Sequence, residues 1–269
     1  MYSASFVSGG STFVLGTANN IVFDISDLSG NDVELGLSQG TTQVGQTVER
    51  MAVSGNTLTI KGVIYDDVQT GKAALRHTFA PYKEGTLYLG DYYLYVVVKH
   101  SPTFSPIKDR GTFQLQLFAP YPFWRKTVAN EYTMNHALTN NMVNNGDVDV
   151  PYSVTMHTWS NFAVNPVLTN TTTGEYIKYN GDLDPLDYTY GDGGVLAIYR
   201  DKNNIIRAEI QDWAGNPVED VLSKIDEGST LWNMHVGDNI IVASDDTGHY
   251  NEMEVIVKFN EAVGGVYEY

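Results

Sequence analysis

The chain has 269 residues and a mass of 29.8 kDa, with 42% apolar residues, 18% charged residues and no cysteine. That length holds one large domain or two small ones. The missing thiols exclude disulfides, thiolate zinc sites, iron–sulfur clusters and cysteine nucleophiles. Residues 1–130 carry 10 basic and 10 acidic side chains, and residues 131–269 carry 6 and 22, so the whole net charge of −16 lies in the second half. A face that binds phosphates must be basic, so this balance argues against sequence-specific nucleic-acid recognition. The acidic half serves solubility or an electrostatic meeting with another protein.

Met1–Leu15 holds no basic residue and does not read as a secretory signal. The next segments are short and of β type: Thr12–Leu15, Ile21–Leu28, and Val33–Leu37, where an acid alternates with apolar residues. Val48–Val53 and Thr57–Ile64 flank Ser54-Gly55-Asn56, which predicts a hairpin between them. Val68, Lys72, Leu75 and Phe79 then recur at helical spacing, with Asp66 or Asp67 to cap the start and Pro81 to stop the helix.

Tyr92–His100 is apolar on both faces, as expected of a central strand or an assembly surface. Its Leu94–Val98 core is the longest unbroken apolar run and is too short to span a membrane. Thr112–Leu117 alternates cleanly, with Phe113, Leu115 and Leu117 on one face and Gln114 and Gln116 on the other.

Thr127–Asp149 holds six asparagines and no sustained periodicity, so residues 131–150 read as a linker between domains at 1–130 and 151–269. Beyond it, strands are expected at Tyr152–Thr158, Val164–Asn170, Glu175–Tyr179, Val195–Arg200, Ile205–Gln211, Leu231–Met234, Asn239–Ala243 and Glu252–Phe259. Many short strands separated by Asn-Gly and Asp-Gly turns predict a β-sandwich. One helix is expected at Pro217–Asp226, capped by Asn216, with Val218, Val221, Leu222 and Ile225 as its stripe.

No motif carries catalysis. The histidines, 77, 100, 136, 157, 235 and 249, include no pair at helical metal-ligand spacing. The G-x-S-x-G elbow and the phosphate loops are absent. The acid pairs Asp66–Asp67, Glu219–Asp220, Asp226–Glu227 and Asp245–Asp246 read as caps and solvated turns, although two carboxylates facing each other across a cleft would suffice for a glycosidase. Asp182, Asp184 and Asp187 make either a calcium-binding loop without EF-hand spacing or an acidic turn. Trp159, Trp213 and Trp232 serve either as core or as sugar-stacking platforms of a carbohydrate-binding adhesin or receptor-binding module. No catalytic residue, metal or cofactor is assigned.

The order of local features resembles the distal tail proteins of long-tailed, non-contractile bacteriophages. In the first half the resemblance rests on Arg50, Leu58-Thr-Ile60-Lys-Gly62-Val-Ile64, the helix Lys72–Phe79 running into Ala80-Pro81, Gly85-Thr-Leu87, and Leu94–Val98. The alternating strand Phe113–Leu117 closing on Pro120-Tyr-Pro122-Phe-Trp124 is its most telling part. In the second half it rests on Asn170-Thr-Thr-Thr-Gly174-Glu-Tyr-Ile177, Ser229-Thr-Leu231-Trp232, Gly237-Asp-Asn239-Ile240 and Gly265-Val266-Tyr267. Gly45-Gln-Thr-Val-Glu-Arg50 matches the family's glycine-plus-base pattern only loosely.

The resemblance implies a mainly β protein. Its first part would be a β-sandwich with a flanking helix, similar to a tail-tube building block. Its second part would be a galectin-like β-sandwich. Six copies would form a ring that passes DNA and joins the major tail tube protein to a tail-tip or tail-associated protein and to a receptor-binding or other baseplate protein. The family works at the distal end of the virion's tail after synthesis in the host cytoplasm. It implies no catalysis, sugar binding or membrane contact. Candidate assembly-surface residues are Tyr92, Tyr93, Tyr95, Val97 and Trp124.

Overall fold

The computed structural model describes residues 3–28, 33–39, 44, 46–107, 110–135, 138–158, 162–183, 194–201, 205–247 and 253–266. The chain divides into two compact units, Met1–Thr127 with Val263–Tyr269, and Val128–Ala262.

The first unit contains β1 (Ala4–Ser8), β2 (Ser11–Leu15), β3 (Ile21–Ser26), β4 (Val33–Ser38), β5 (Thr47–Val53), β6 (Asn56–Ile64), helix α1 (Val68–Thr78), β7 (Glu84–Leu89), β8 (Tyr92–Phe104), β9 (Thr112–Ala119) and β10 (Trp124–Lys126). An antiparallel sheet runs in the order β2-β1-β7-β8-β9-β6-β3, with β10 also paired to β8. Its inner face is set by period-two alternation: Ile21, Phe23 and Ile25 on β3, Leu58 and Ile60 on β6, Leu94, Val96 and Val98 on β8, and Phe113, Leu115 and Leu117 on β9 are all buried. The alternation read at 112–117 therefore holds residue by residue.

Helix α1 forms where its apolar stripe predicts, and Leu75 and Phe79 enter the same core. The Phe79 ring lies 4.8 Å from Phe6. Lys72 on this stripe is also buried and sets its ammonium 5.8 Å from the Phe104 ring, so its stem lies along the apolar face as expected. Asp67 occupies the N-cap position in a left-handed conformation, but its side chain makes no capping bond.

Strands β1 and β7 escape the sequence reading because each is short and interrupted by serine, threonine or glycine. Gly9 and Gly10, at φ 55° and 77°, close the β1–β2 turn. Gly85 permits a close crossing, since a Cβ there would lie 2.5 Å from the Val7 carbonyl oxygen.

The hairpin expected across Ser54–Asn56 is not formed. Strand β5 pairs back with β4, whereas β6 enters the main sheet between β3 and β9. The reason is burial. Leu58, Ile60 and Ile64 share one face that the main sheet covers on both flanks, and a two-stranded ribbon covers neither. Strands β4 and β5 make a separate ribbon.

The second unit contains β11 (Asn130–Asn135), β12 (Thr139–Asn144), β13 (Tyr152–Thr158), β14 (Ala163–Val164), β15 (Val167–Asn170), β16 (Glu175–Lys178), β17 (Asp182–Leu183), β18 (Val195–Arg200), β19 (Ile206–Gln211), β20 (Pro217–Asp220), β21 (Gly237–Ser244) and β22 (Met253–Phe259), and β23 (Ala262–Val263) follows. One sheet has the order β11-β22-β13-β18-β19-β20 and the other β12-β21-β15-β16. Their inner faces supply Val154, Met156, Leu196, Ile198, Val255 and Val257 from the first, and Met142, Leu168, Ile177, Ile241 and Ala243 from the second. The protein is mainly β, with a sheet core in each unit.

Three expectations fail here. Residues 131–150 are no linker, because β11 pairs along β22 and β12 along β21. Their asparagines hide the alternation by sitting at buried as well as exposed positions. Pro217–Asp226 is no helix. Pro217–Asp220 lies beside β19, where a residue without N–H is tolerated, and Asp220 Oδ1 accepts the Leu222 N–H at 3.0 Å to begin a 3-10 turn at Leu222–Lys224. Of the expected stripe, Val221 is buried while Val218 and Leu222 stay exposed, so these positions do not share one covered face. Leu231–Met234 forms no strand; its Met234 makes an isolated bridge to Val150.

Candidate assembly surfaces

Strand β8 turns one apolar face into the core and the other outward. Leu94, Val96 and Val98 are buried and Tyr92 packs against the same core. Tyr93, Tyr95 and Val97 lie half-buried on the outer face. The register brings Tyr88 opposite Tyr93, Thr86 opposite Tyr95, Glu84 opposite Val97 on one side, and Phe118 opposite Val97 on the other.

The outer face is therefore an aromatic and aliphatic belt. The Tyr88 and Tyr93 rings are 6.0 Å apart. The Tyr95 hydroxyl donates to Glu84 Oε2. Burial, and then this bond to a carboxylate, push the Tyr95 phenol up to about 12. Lys99 Nζ donates to Thr57 Oγ1 at 3.1 Å, so a cation rims the belt.

Trp124 is not part of any surface. It is 1% exposed and sits in the core of the first unit, although it is adjacent in sequence to the half-buried Arg125. Its size and the proline-rich corner before it are as consistent with a core plug as with an anchor, and the fold uses it as the plug. Of the five sequence candidates, Tyr93, Tyr95 and Val97 share the outer face, while Tyr92 and Trp124 turn inward.

Sequence reasoning missed a second surface on the same sheet. A groove of about 610 Å³ opens over β3, β6, β8 and β9, lined by Val22, Lys61, Gly62, Val63, Phe104 and Phe113 among others. Val22 and Val63 are directly opposite each other across β3 and β6, and they remain 45% and 43% exposed. Gly62 leaves room for the buried Phe113 ring beneath the strand, since a Cβ there would lie 2.7 Å from it. The signal in the sequence was a glycine inside a strong strand pattern.

In the second unit the aromatic candidates separate. Trp232 is buried, its ring centroid 5.0 Å from that of Tyr152. Trp213 is 45% exposed and stands edge-on to His157 at 5.0 Å. Trp159 lies outside the described residues, as do Asp184 and Asp187, and Asp182 is exposed in β17. Among the described residues, no group of three or more His, Asp and Glu side chains is placed to hold a metal ion. Among them too, no helix is long and apolar enough to cross a membrane.

No protein-family model matches the chain, and no curated protein matches it in sequence. Solved structures do match. The SPP1 Dit (gp 19.1) protein, described as a paradigm of the hub adsorption apparatus in phages infecting Gram-positive bacteria, aligns over 97% of this chain and 99% of its own, with a TM-score of 0.70 at 10% identity. The fold is that of a phage hub protein. Chains of the phage p2 baseplate in its activated conformation, with strontium and with calcium, align over 99% of this chain and 100% of their own, with a TM-score of 0.51 at 12% identity. The likeness to the SPP1 Dit structure thus spans both units, not one sheet alone.

Proposed function

We propose that this chain is a structural hub at the distal end of a phage tail. In this reading six copies close through their first units into a ring. The ring joins the major tail tube protein to a tail-tip or tail-associated protein and to a receptor-binding or other baseplate protein, and DNA passes through it. The observation that carries the reading is the near-full-length likeness to the SPP1 Dit hub structure. The second unit would be the outer, galectin-like domain.

The physical chemistry supports this. A ring of identical subunits needs a heterologous interface, in which each copy offers two different surfaces. The first unit has two, the Tyr93–Val97 belt and the groove at Val22 and Val63. A channel that releases DNA must not be strongly basic, and residues 1–130 balance 10 bases with 10 acids. The acidic second unit repels its own copies and attracts basic partners.

Light scattering after size exclusion tests the ring. The expected mass is about six times the 29.8 kDa of the chain, with ring-shaped particles in electron micrographs. A monomer at every concentration and salt would count against it. A carbohydrate-binding role for the second unit has one point of support, the exposed Trp213 face. Saturable binding to host-wall polysaccharide that disappears in Trp213→Ala would establish that role, and its absence across such polysaccharides would remove it.

A further inference from the structure

Trp213 stands in the turn that joins β19 to β20, beside the outer face of the six-stranded sheet. The turn is built around Asp212. Its Oδ1 accepts the Ala214 and Asn216 N–H groups at 2.9 and 2.8 Å, and its Oδ2 accepts from Asn216 Nδ2 at 2.9 Å. Gly215, at φ 80°, lets the chain turn back. The indole packs against His157. By alternation with the inward Val154 and Met156, His157 points out of β13, yet it is only 5% exposed. Trp213 supplies the cover, its ring centroid 5.0 Å from that of the imidazole and the two planes at 78°. The indole is thus braced by its turn and by His157 while it stays 45% exposed. A ring fixed before its ligand arrives loses little entropy on binding.

The groups around the ring indicate what it takes. Glu254 lies directly opposite His157 in the β13–β22 ladder, with Oε1 4.0 Å from His157 Nε2. Burial holds the imidazole below its ordinary 6.5, so at pH 7 it is neutral and does not offset the Glu254 charge. On the same face of β19, Gln211 Nε2 donates to Glu209 Oε1 at 2.8 Å. The bases of this face are engaged with other acids: Lys258 meets Glu131 at 2.9 Å, and Arg207 meets Asp201 at 3.1 Å. A tryptophan face attracts a cation, and carboxylates beside it strengthen that attraction. The neighbours Gln211, Glu209 and Glu254 are polar, unlike the apolar centre that a protein interface buries. A single flat ring with hydrogen-bonding groups at its rim fits a sugar ring instead.

We infer that Trp213 and Glu254 form a subsite for an amino sugar with a free ammonium group, the sugar ring stacked on the indole and the ammonium turned toward Glu254. This rests on the carbohydrate reading of the second unit and names the class of sugar. Calorimetry on the full chain tests it, with a chitosan oligosaccharide and its fully N-acetylated counterpart as probes in mildly acidic buffer, where the free amines are protonated. The free-amine form is expected to bind about tenfold more tightly than the acetylated one. Trp213→Ala is expected to abolish binding of both, and Trp213→Phe to retain it in weaker form. Glu254→Gln is expected to erase the preference for the amine while both sugars still bind. Equal affinity for the two probes, lost in Trp213→Ala, overturns the ammonium subsite and leaves the carbohydrate reading standing. Binding of the amine form that survives Trp213→Ala is general attraction to an acidic surface and overturns the subsite. Binding of neither probe also overturns it, and the host-wall polysaccharide screen then decides the carbohydrate role separately.

Discussion

Asn239 ties the entry of β21 to the segments beside it through buried hydrogen bonds. Its Nδ2 donates to the carbonyl oxygens of His235 at 2.8 Å and Gly237 at 3.1 Å, and its Oδ1 accepts from the His235 N–H at 3.1 Å and from Asn170 Nδ2 at 3.2 Å. Asn170 in turn accepts the Thr172 N–H at 3.0 Å, so the two residues hold the turn after β15 and the entry to β21 together. Both are fully buried. Removing such a group strands several buried donors and acceptors. Asn239→Ala is expected to cost about 3 kcal/mol, read as a drop in the urea midpoint of the second unit.

His157 gives the same unit a pH dependence. Burial lowers its pKa below the ordinary 6.5, partly offset by Glu254, whose carboxylate lies 4.0 Å away. The unfolded chain takes up this proton near 6.5 and the folded one only at lower pH, so the contribution is full above 6.5 and drains as pH falls through the folded-state value. His157→Gln should flatten the loss of stability below pH 6.5 in a series of thermal melts. An unchanged slope would mean that other groups set the acid limb.

At the level of elements, sequence alternation exposed those strands whose two faces meet different surroundings. Phe113–Leu117 was legible because its glutamines face outward. Residues 130–144 were not, because Asn144 is a core residue there: its Nδ2 donates to the carbonyls of Met234 at 2.9 Å and Val148 at 3.0 Å. A polar residue whose partners are distant in sequence looks like loop when read locally. The Pro217 segment misled for the opposite reason, since a proline followed by i, i+3, i+4 apolar residues is also what an edge strand and a 3-10 turn can show. In the β4–β5 ribbon the alternation of Val33, Leu35 and Leu37 was legible, but the register shift after Gly36 that sets Leu37 opposite Val48 has no sequence signature.

Glycines at crossings set a further constraint on elements. In Gly85→Val the new Cβ would meet backbone at 2.5 Å and the Phe6 ring at 2.6 Å, with no flexible neighbour to give way on the backbone side. The expected cost is about 3 kcal/mol, seen as a lowered melting temperature of the first unit. Of the candidate surfaces, the outer belt was half legible from the Tyr–Val run, and the groove was not, because its walls come from strands far apart in sequence.

For the molecule as a whole, the two-part charge distribution was the clearest message of the sequence, and the compact units follow it closely in composition. The path of the chain adds something different. Beyond Ala262 the chain rejoins the first unit, where Val266 is buried and its N–H reaches the Leu28 carbonyl at 3.3 Å. The second unit is thus an insert threaded into the first rather than a tail hung from it. Its two attachment points, at Thr127 and Val263, belong to one folded body. Such a layout closes a loop: the second unit folds with both of its ends anchored on one body. A stop codon at the end of the first 127 residues, by contrast, would leave the framework without its last plug.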